Sequence, residues 1–452
     1  MGQTVSTDAT AKDSLTAVST SNYGTINDTK DPPPPPQSSI APPRRATWTT
    51  ASQLIIADVI GVGIMSMADA FAQLGWLLGL ILVHGMLLLN LYCGWLAWEA
   101  QTISFPGTLT LAQIGHRAYG TTGQWVTGVV VYSFLFFVLG NYLLTLGLCL
   151  QQVFVTVDMP RPLWSLLGAL LLLPFCQIRT LNGARLLLIV NITTIILAVF
   201  VSVGHMLAVG ERHGETSLIA TDLTWRSFVS GLSKFAFAYT GVLMYPEIVS
   251  EMEEPADFPK ALIVQAPFQL ISFLSVGCVG YAYLGSRAEG LLINSLPPGS
   301  AASTIAAVSL FIHVLITYLI KGTVLTRALH TMIAPNSLND TGREGTLTWL
   351  ALTSCLMLCC FGVASAVPFF DELCSLLGSV QTPIFGFVLP VLFCYAGRKA
   401  QGVQIAPPTY VLLAAILGLG VAMFTVGATG EVITIIERWR NRSVLYTTNL
   451  FY

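Results

Sequence analysis

From residue 50 onward the chain alternates long apolar runs with short charged or Pro/Gly-rich breaks. A helix needs about 20 apolar residues to cross a bilayer core. Eleven runs meet or approach that length: 50–74, 76–98, 123–150, 161–178, 184–209, 227–249, 261–285, 302–328, 346–366, 373–396 and 407–428. Residues 108–120 predict a short amphipathic helix at the surface. Residues 1–48 are polar and contain five consecutive prolines at 32–36, so they predict a disordered cytoplasmic tail with no core of its own. The pattern predicts an all-α polytopic membrane protein of about eleven transmembrane helices. Its transmembrane domain spans 49–430, and a short non-cytoplasmic tail spans 431–452.

Two runs are interrupted. The first carries Asp58, Gly61 and Gly63 near its middle. The sixth carries Tyr239-Thr240-Gly241-Val242 and then Pro246-Glu247. Glycine weakens a helix, and a charge in hydrocarbon is costly. A broken helix also exposes backbone groups that lipid cannot satisfy, so breaks are confined to places that line a cavity. Interruptions five runs apart predict an inverted repeat, runs one to five and six to ten, with the eleventh appended and a central site between the breaks.

Composition agrees: 54% of residues are hydrophobic and 10% charged, which excludes an ordinary soluble domain. The net charge of −2 gives no basis for nucleic-acid binding. The nine cysteines are scattered and show no metal-ligand spacing, so they read as small apolar side chains and no metal site is expected. With a cytoplasmic N-terminus, the inner loops hold Arg117, Arg179, Arg185, Lys260, Arg327, Arg343, Arg398 and Lys399, against Arg161, Arg212, Arg226 and Arg287 outside. Arg44 and Arg45 support that orientation; Arg438, Arg440 and Arg442 oppose it. Asn441 heads a sequon on the non-cytoplasmic side and is a candidate N-glycosylation site; the Asn339 sequon falls on the wrong side. Gly2 heads an N-myristoylation pattern.

Certain residues resemble a known family. Gly61-Val62-Gly63-Ile64-Met65-Ser66-Met67 with Ala70-Phe71-Ala72-Gln73-Leu74-Gly75-Trp76 is similar to the opening helix of the amino acid/auxin permease family. Tyr245-Pro246-Glu247 onward, with Asp257-Phe258-Pro259-Lys260-Ala261-Leu262, resembles its sixth helix and following loop. A third likeness is Val367-Pro368-Phe369-Phe370-Asp371-Glu372-Leu373. Together they cover residues 48–430. The resemblance implies a LeuT-type 5+5 fold and secondary active transport of amino acids, driven by protons and in some branches by sodium. Sodium-coupled branches usually place Asn where this chain has Ala57.

A carboxylate suits free N–H groups at the start of a half-helix, where the helix dipole is positive. The substrate carboxylate is therefore assigned to the backbone at Gly61, Val62, Gly63 and Ile64. The ammonium is assigned to carbonyls at Ala238, Tyr239 and Thr240, with Phe235 and Met244 as selectivity candidates. Asp58, Glu247 and Lys321 fall in one depth band, which predicts Lys321 in the place of sodium, paired with Asp58 or Glu247. Asp58 is the first choice as proton carrier and Glu247 the second; a static ion pair is the alternative. Asp69 reads either as a solvated group at the run's end or as part of an outer vestibule, and Lys234 as snorkelling to the interface. His84 and His313 read as buried and hydrogen-bonded, and Asn141 and Asn191 as interhelical hydrogen-bonding groups. The functional expectation is a proton-coupled carrier of small neutral amino acids, with an ion gradient and no other cofactor, in a plasma or vacuolar/lysosomal-type membrane. The alternative is a membrane sensor that binds an amino acid and signals through its N-terminal tail. No enzyme-like arrangement is seen, and oligomeric state is not legible.

Overall fold

The computed structural model describes residues 44–179, 184–210, 214–338, 340, 342–367 and 370–448, without the side chains of 184–185, 438–439 and 441–448. The residues 1–43 of the expected tail, including Gly2, lie outside this range, as do Arg212, Asn339 and the Asn441 side chain. The described residues form fourteen α-helices: α1 (Trp48–Val59), α2 (Met67–Glu99), α3 (Leu111–Val153), α4 (Arg161–Leu172), α5 (Ala184–Val209), α6 (Trp225–Ala238), α7 (Tyr245–Glu251), α8 (Phe258–Leu274), α9 (Gly280–Leu284), α10 (Ala301–Ile333), α11 (Arg343–Ala366), α12 (Phe370–Val380), α13 (Leu389–Ala400) and α14 (Pro407–Thr448).

Eight helical stretches among the described residues are long and apolar enough to cross a membrane. Three of the eleven expected runs are not continuous long helices: the first and sixth are interrupted where the sequence predicts, and the fourth is shorter than expected. The first is α1, a 3-10 turn at Val62–Ser66, and the start of α2. It ends at Gly75, whose φ of 84° kinks α2 and separates it from the second run. The chain at residues 217–220 lies across that kink: Trp76 and Leu77 N–H donate to Ser217 and Leu218 carbonyls at 3.1 and 2.9 Å. A Cβ on Gly75 would meet the Ile219 and Ala220 backbone at 2.7 Å, so only glycine fits. The fourth run is helical only as α4, and Pro174 opens the turn that follows it. The sixth is α6, a 3-10 turn at Thr240–Leu243, and α7.

The segment expected at 108–120 forms the first turns of α3. Thr110 caps it by accepting from Gln113 N–H, and Tyr119 with Gly120 (φ 66°) turns the chain into the long remainder. α14 runs past the expected limit of 428, so the expected C-terminal tail is helical as far as Thr448.

α10 packs against α3 and α5, α6 against α2 and α12, and α1 against α8. One apolar core runs through these contacts. Large side chains such as Leu88, Phe200, Ile263, Ile271, Leu358 and Val411 stay exposed, as expected of helices facing hydrocarbon. What the packing positions is the pair of breaks, one after α1 and one after α6.

Candidate functional site

The two breaks meet backbone to backbone. A Cβ on Gly63 would lie 2.9 Å from Ala238 Cα and 3.4 Å from the Phe237 ring. A Cβ on Gly241 would lie 2.8 Å from Val59 of the opposite break. Glycine at both positions is what lets the strands of broken helix touch. Gly61 is extended (φ −121°, ψ −152°), and its N–H finds no acceptor among the described residues. The new turn starts with Ile64 N–H to Gly61 carbonyl at 3.2 Å, so the N–H groups of Val62 and Gly63 have no partner within that helix. Ser66 Oγ donates to the Gly63 carbonyl at 2.9 Å and closes the turn.

On the facing break, Ala238 and Tyr239 are buried and Thr240 half-buried. Tyr239 spends its hydroxyl on the Val83 carbonyl at 2.6 Å and packs edge-on against Phe273. Its side chain is therefore committed to holding α6 against α2, and only its backbone remains for a ligand. Phe235 is fully buried core and Met244 half-buried.

The structure brings Lys321 and Asp58 together at 3.0 Å, between α10 and α1. Lys321 Nζ also donates to the Tyr142 hydroxyl at 3.3 Å and sits 5.9 Å from that ring's centroid. Tyr142, on α3, carried no sequence signal of its own. Glu247 does not join the pair: one carboxylate oxygen is buried with no hydrogen-bond partner among the described residues. His313 is buried beside the first break. Its Nδ1–H donates to the Asn191 carbonyl at 3.1 Å, and its Nε2 lies 3.7 Å from where a Gly61 Cβ would stand. Thr317 donates to the Asn191 side chain at 3.2 Å, tying α10 to α5. Asn141 donates to Cys374 Sγ at 3.5 Å, tying α3 to α12.

Two expectations are corrected. Lys234 does not snorkel: it is 1% exposed and ion-paired with Asp69, which also accepts from Gln73 at 3.3 Å. An unpaired ammonium at that depth would be far costlier than a paired one, so the partner on α2 is what keeps it inside. His84 is exposed rather than buried, and satisfies itself by donating to the Leu80 carbonyl at 2.8 Å in its own helix. A third pair was not anticipated: Arg398 grips Glu99 with two bonds at 2.7 and 2.9 Å.

Two cavities lie to one side of the breaks. One of about 330 Å³ has Asp69 and Gln73 on its wall, and an adjoining one of about 470 Å³ shares Leu148, Arg161, Glu289 and Asn294 with it. Asp69 is six residues beyond Gly63, about 9 Å along a helix. On the opposite side the chain is closed by backbone bonds: Arg45 and Ala46 N–H both donate to Glu251 carbonyl, and Glu253 N–H to Ala46 carbonyl, each at 2.9 Å.

Two interrupted helices meeting inside an apolar bundle define a LeuT-like membrane fold. The structure of MhsT in complex with L-phenylalanine superposes with a TM-score of 0.53 over 87% of this chain and 99% of that one, at 13% identity. The chain belongs to the transmembrane amino acid transporter protein family, whose model matches residues 44–442. Its relatives include the amino acid transporter AVT1B of Arabidopsis thaliana, 26% identical over 84% of this chain and 69% of the relative. AVT1D of the same plant is also 26% identical, but this chain spans only 60% of its length. The N amino acid transport system protein of Neurospora crassa is 23% identical over 88% of this chain and 86% of its own. These relatives are named as transporters and not as enzymes, and the chain is a multi-pass integral membrane protein of that kind.

Proposed function

We propose that this protein is a proton-coupled secondary carrier of small neutral amino acids that works by alternating access around its two breaks. The contact of Gly63 with Ala238 is the observation that carries the reading. It places helix-start N–H groups of one break against the carbonyl end of the other, and an α-amino acid carries the complementary carboxylate and ammonium. Separating the breaks by one small molecule would let Gly61–Ile64 take the carboxylate and Ala238–Thr240 the ammonium. The side holding the Asp69 cavity then faces outward, and the closed side near Ala46 and Glu251 faces the cytoplasm. In this reading α1 with the start of α2, α4, and α6 with α7 complete the eight long helices to eleven spans in a 5+5+1 order.

Coupling belongs to the pair at the inner end. Lys321 supplies a fixed cation between α1 and α10 where a sodium ion would otherwise sit. Asp58 is held by it in this conformation and can take a proton when α1 swings away. Glu247, with its unpartnered oxygen, is the second proton site. The membrane is a plasma or vacuolar/lysosomal-type one. The test is uptake by Asp58→Asn and Glu247→Gln in proteoliposomes across external pH. A flattened pH dependence in Asp58→Asn supports the assignment; an unchanged profile in both variants removes the proton role from these residues.

A further inference from the structure

The backbone bonds between residues 45–46 and 251–253 close the inner side like a latch. Its first strand reads Arg44-Arg45-Ala46-Thr47, and no other two arginines adjoin in the chain. Arginines three and two places before a threonine form the charge pattern that basophilic protein kinases select, because carboxylates in their clefts meet those positions. The segment is also presented in the form such a cleft accepts. It is extended as far as Thr47 (φ −74°, ψ 165°), and Arg44, Arg45 and Thr47 are all exposed.

The pairing fixes what stands opposite each residue. Ala46 pairs with Met252 as parallel strands do: Ala46 N–H donates to Glu251 carbonyl, and Glu253 N–H to Ala46 carbonyl. That register sets Arg45 beside Glu251 and Thr47 beside Glu253. Side chains alternate along extended chain, and the burial follows that rule. Ala46 and Met252 are buried, while Arg45, Thr47, Glu251 and Glu253 are exposed. Neighbours across such a pair stand about 4.8 Å apart. Arg45 beside Glu251 is an attractive neighbour. Thr47 beside Glu253 is a neutral one, and a charge placed on Thr47 changes that.

We propose that Thr47 is a phosphorylation site for a basophilic protein kinase and that its phosphate releases the latch. The kinase moves the terminal phosphoryl group of ATP to Thr47 Oγ1. The bond from that phosphorus to the ADP oxygen breaks, the new P–O bond forms, and the hydroxyl proton leaves to the kinase's base. The product carries a charge near −2 opposite Glu253, and like charges directly opposite destabilise a strand pair. It also competes with Glu251 for Arg45. Thr47 Oγ1 now accepts from Thr50 N–H at 3.3 Å, and phosphate oxygens at a helix start can take over that bond. α1 therefore keeps its cap while the latch is lost, and the inner side opens more readily. The proposal rests on the reading that this side faces the cytoplasm, where ATP and kinases are.

The test uses the purified full chain in detergent, treated with the catalytic subunit of cyclic-AMP-dependent protein kinase and MgATP. Mass spectrometry should place phosphate on Thr47. Arg44→Ala with Arg45→Ala should slow its addition about tenfold, as loss of a charge-assisted contact does. Hydrogen exchange at the Ala46 and Glu253 amides then reports the latch. Their exchange should speed up about fivefold on phosphorylation, the size of one strongly unfavourable cross-strand pair. Kinase-treated Thr47→Ala should show no change, and phosphorylated Glu253→Gln should regain protection. No phosphate at Thr47, or equal exchange at full phosphorylation, overturns the proposal. So does faster exchange that Glu253→Gln leaves in place, since repulsion is then not what opens the latch. Neither readout uses uptake or membrane orientation, so a failed transport reading masks neither result.

Discussion

Gly63 is the residue at which packing and function are hardest to separate, and one substitution tests both. A Cβ there would press on Ala238 Cα at 2.9 Å, and such overpacking costs about 1–3 kcal/mol. Gly63→Ala should lower amino acid uptake on the order of tenfold, the effect of a clash of about 1.4 kcal/mol in the working state. Gly85→Ala is the matched control, since no atom lies within 4 Å of its added methyl, and its uptake should be unchanged. Equal uptake by both would remove the breaks from the substrate path. The Asp58–Lys321 pair gives the second residue-scale prediction. Removing one buried partner strands the other, at a cost of about 3–5 kcal/mol. Lys321→Gln alone should therefore lower the melting temperature in detergent, and Asp58→Asn with Lys321→Gln should recover most of it. If the double variant keeps the pH dependence of uptake, the pair only fixes helix packing. The closeness of Asp58 and Lys321 was legible because depth along a helix follows from residue count. The Asp69–Lys234 pair was not, because nothing in either run says which helix its charge will face.

At the scale of elements, breaks were easier to read than ends. Glycines beside polar residues mark α1–α2 and α6–α7 in the sequence, and both segments break there. The kink at Gly75 was half legible: the boundary between runs fell there, but the clamp by residues 217–220 comes from a distant loop. The end of α14 was misplaced because polar residues can continue a helix that has left hydrocarbon. The latch between residues 45–46 and 251–253 left no sequence trace, since it is made of backbone alone. It ties the start of α1 to the end of α7, so opening that side must break it. Cysteines introduced at Ala46 and Met252, in a background lacking exposed Cys355 and Cys359, should stop uptake under oxidant and restore it under reductant. Uninterrupted uptake in the cross-linked protein would mean that the latch stays shut throughout the cycle. A pH effect is expected in the loop before α11. The amides of Gly342 and Gly345 donate to Asp340 at 2.7 and 3.1 Å and hold its carboxyl below the usual range. A depressed carboxyl stabilises above its unfolded value and loses that contribution as pH falls through the folded one. Exchange protection of those two amides should persist at neutral pH and vanish only below the ordinary aspartate range.

For the whole molecule, orientation and coupling decide the account. The eleven-span reading with a cytoplasmic N-terminus allows a glycan at Asn441 and forbids one at Asn339, so glycan mapping in a glycosylating host tests the topology. The family, and the class of cargo it implies, followed from motifs at the breaks. Which ion drives the cycle did not, because the position held by Asn in sodium-coupled branches is Ala57, and an absence names no replacement. The role proposed for Lys321 rests on its contact with Asp58, which the fold creates between α1 and α10. The most direct measurement is uptake of a panel of labelled neutral amino acids into proteoliposomes, with proton and sodium gradients imposed separately. The account predicts saturable uptake that an inward proton gradient accelerates and sodium leaves unchanged. Sodium-driven, pH-insensitive uptake, or saturable binding with no flux as a sensor would show, would contradict it.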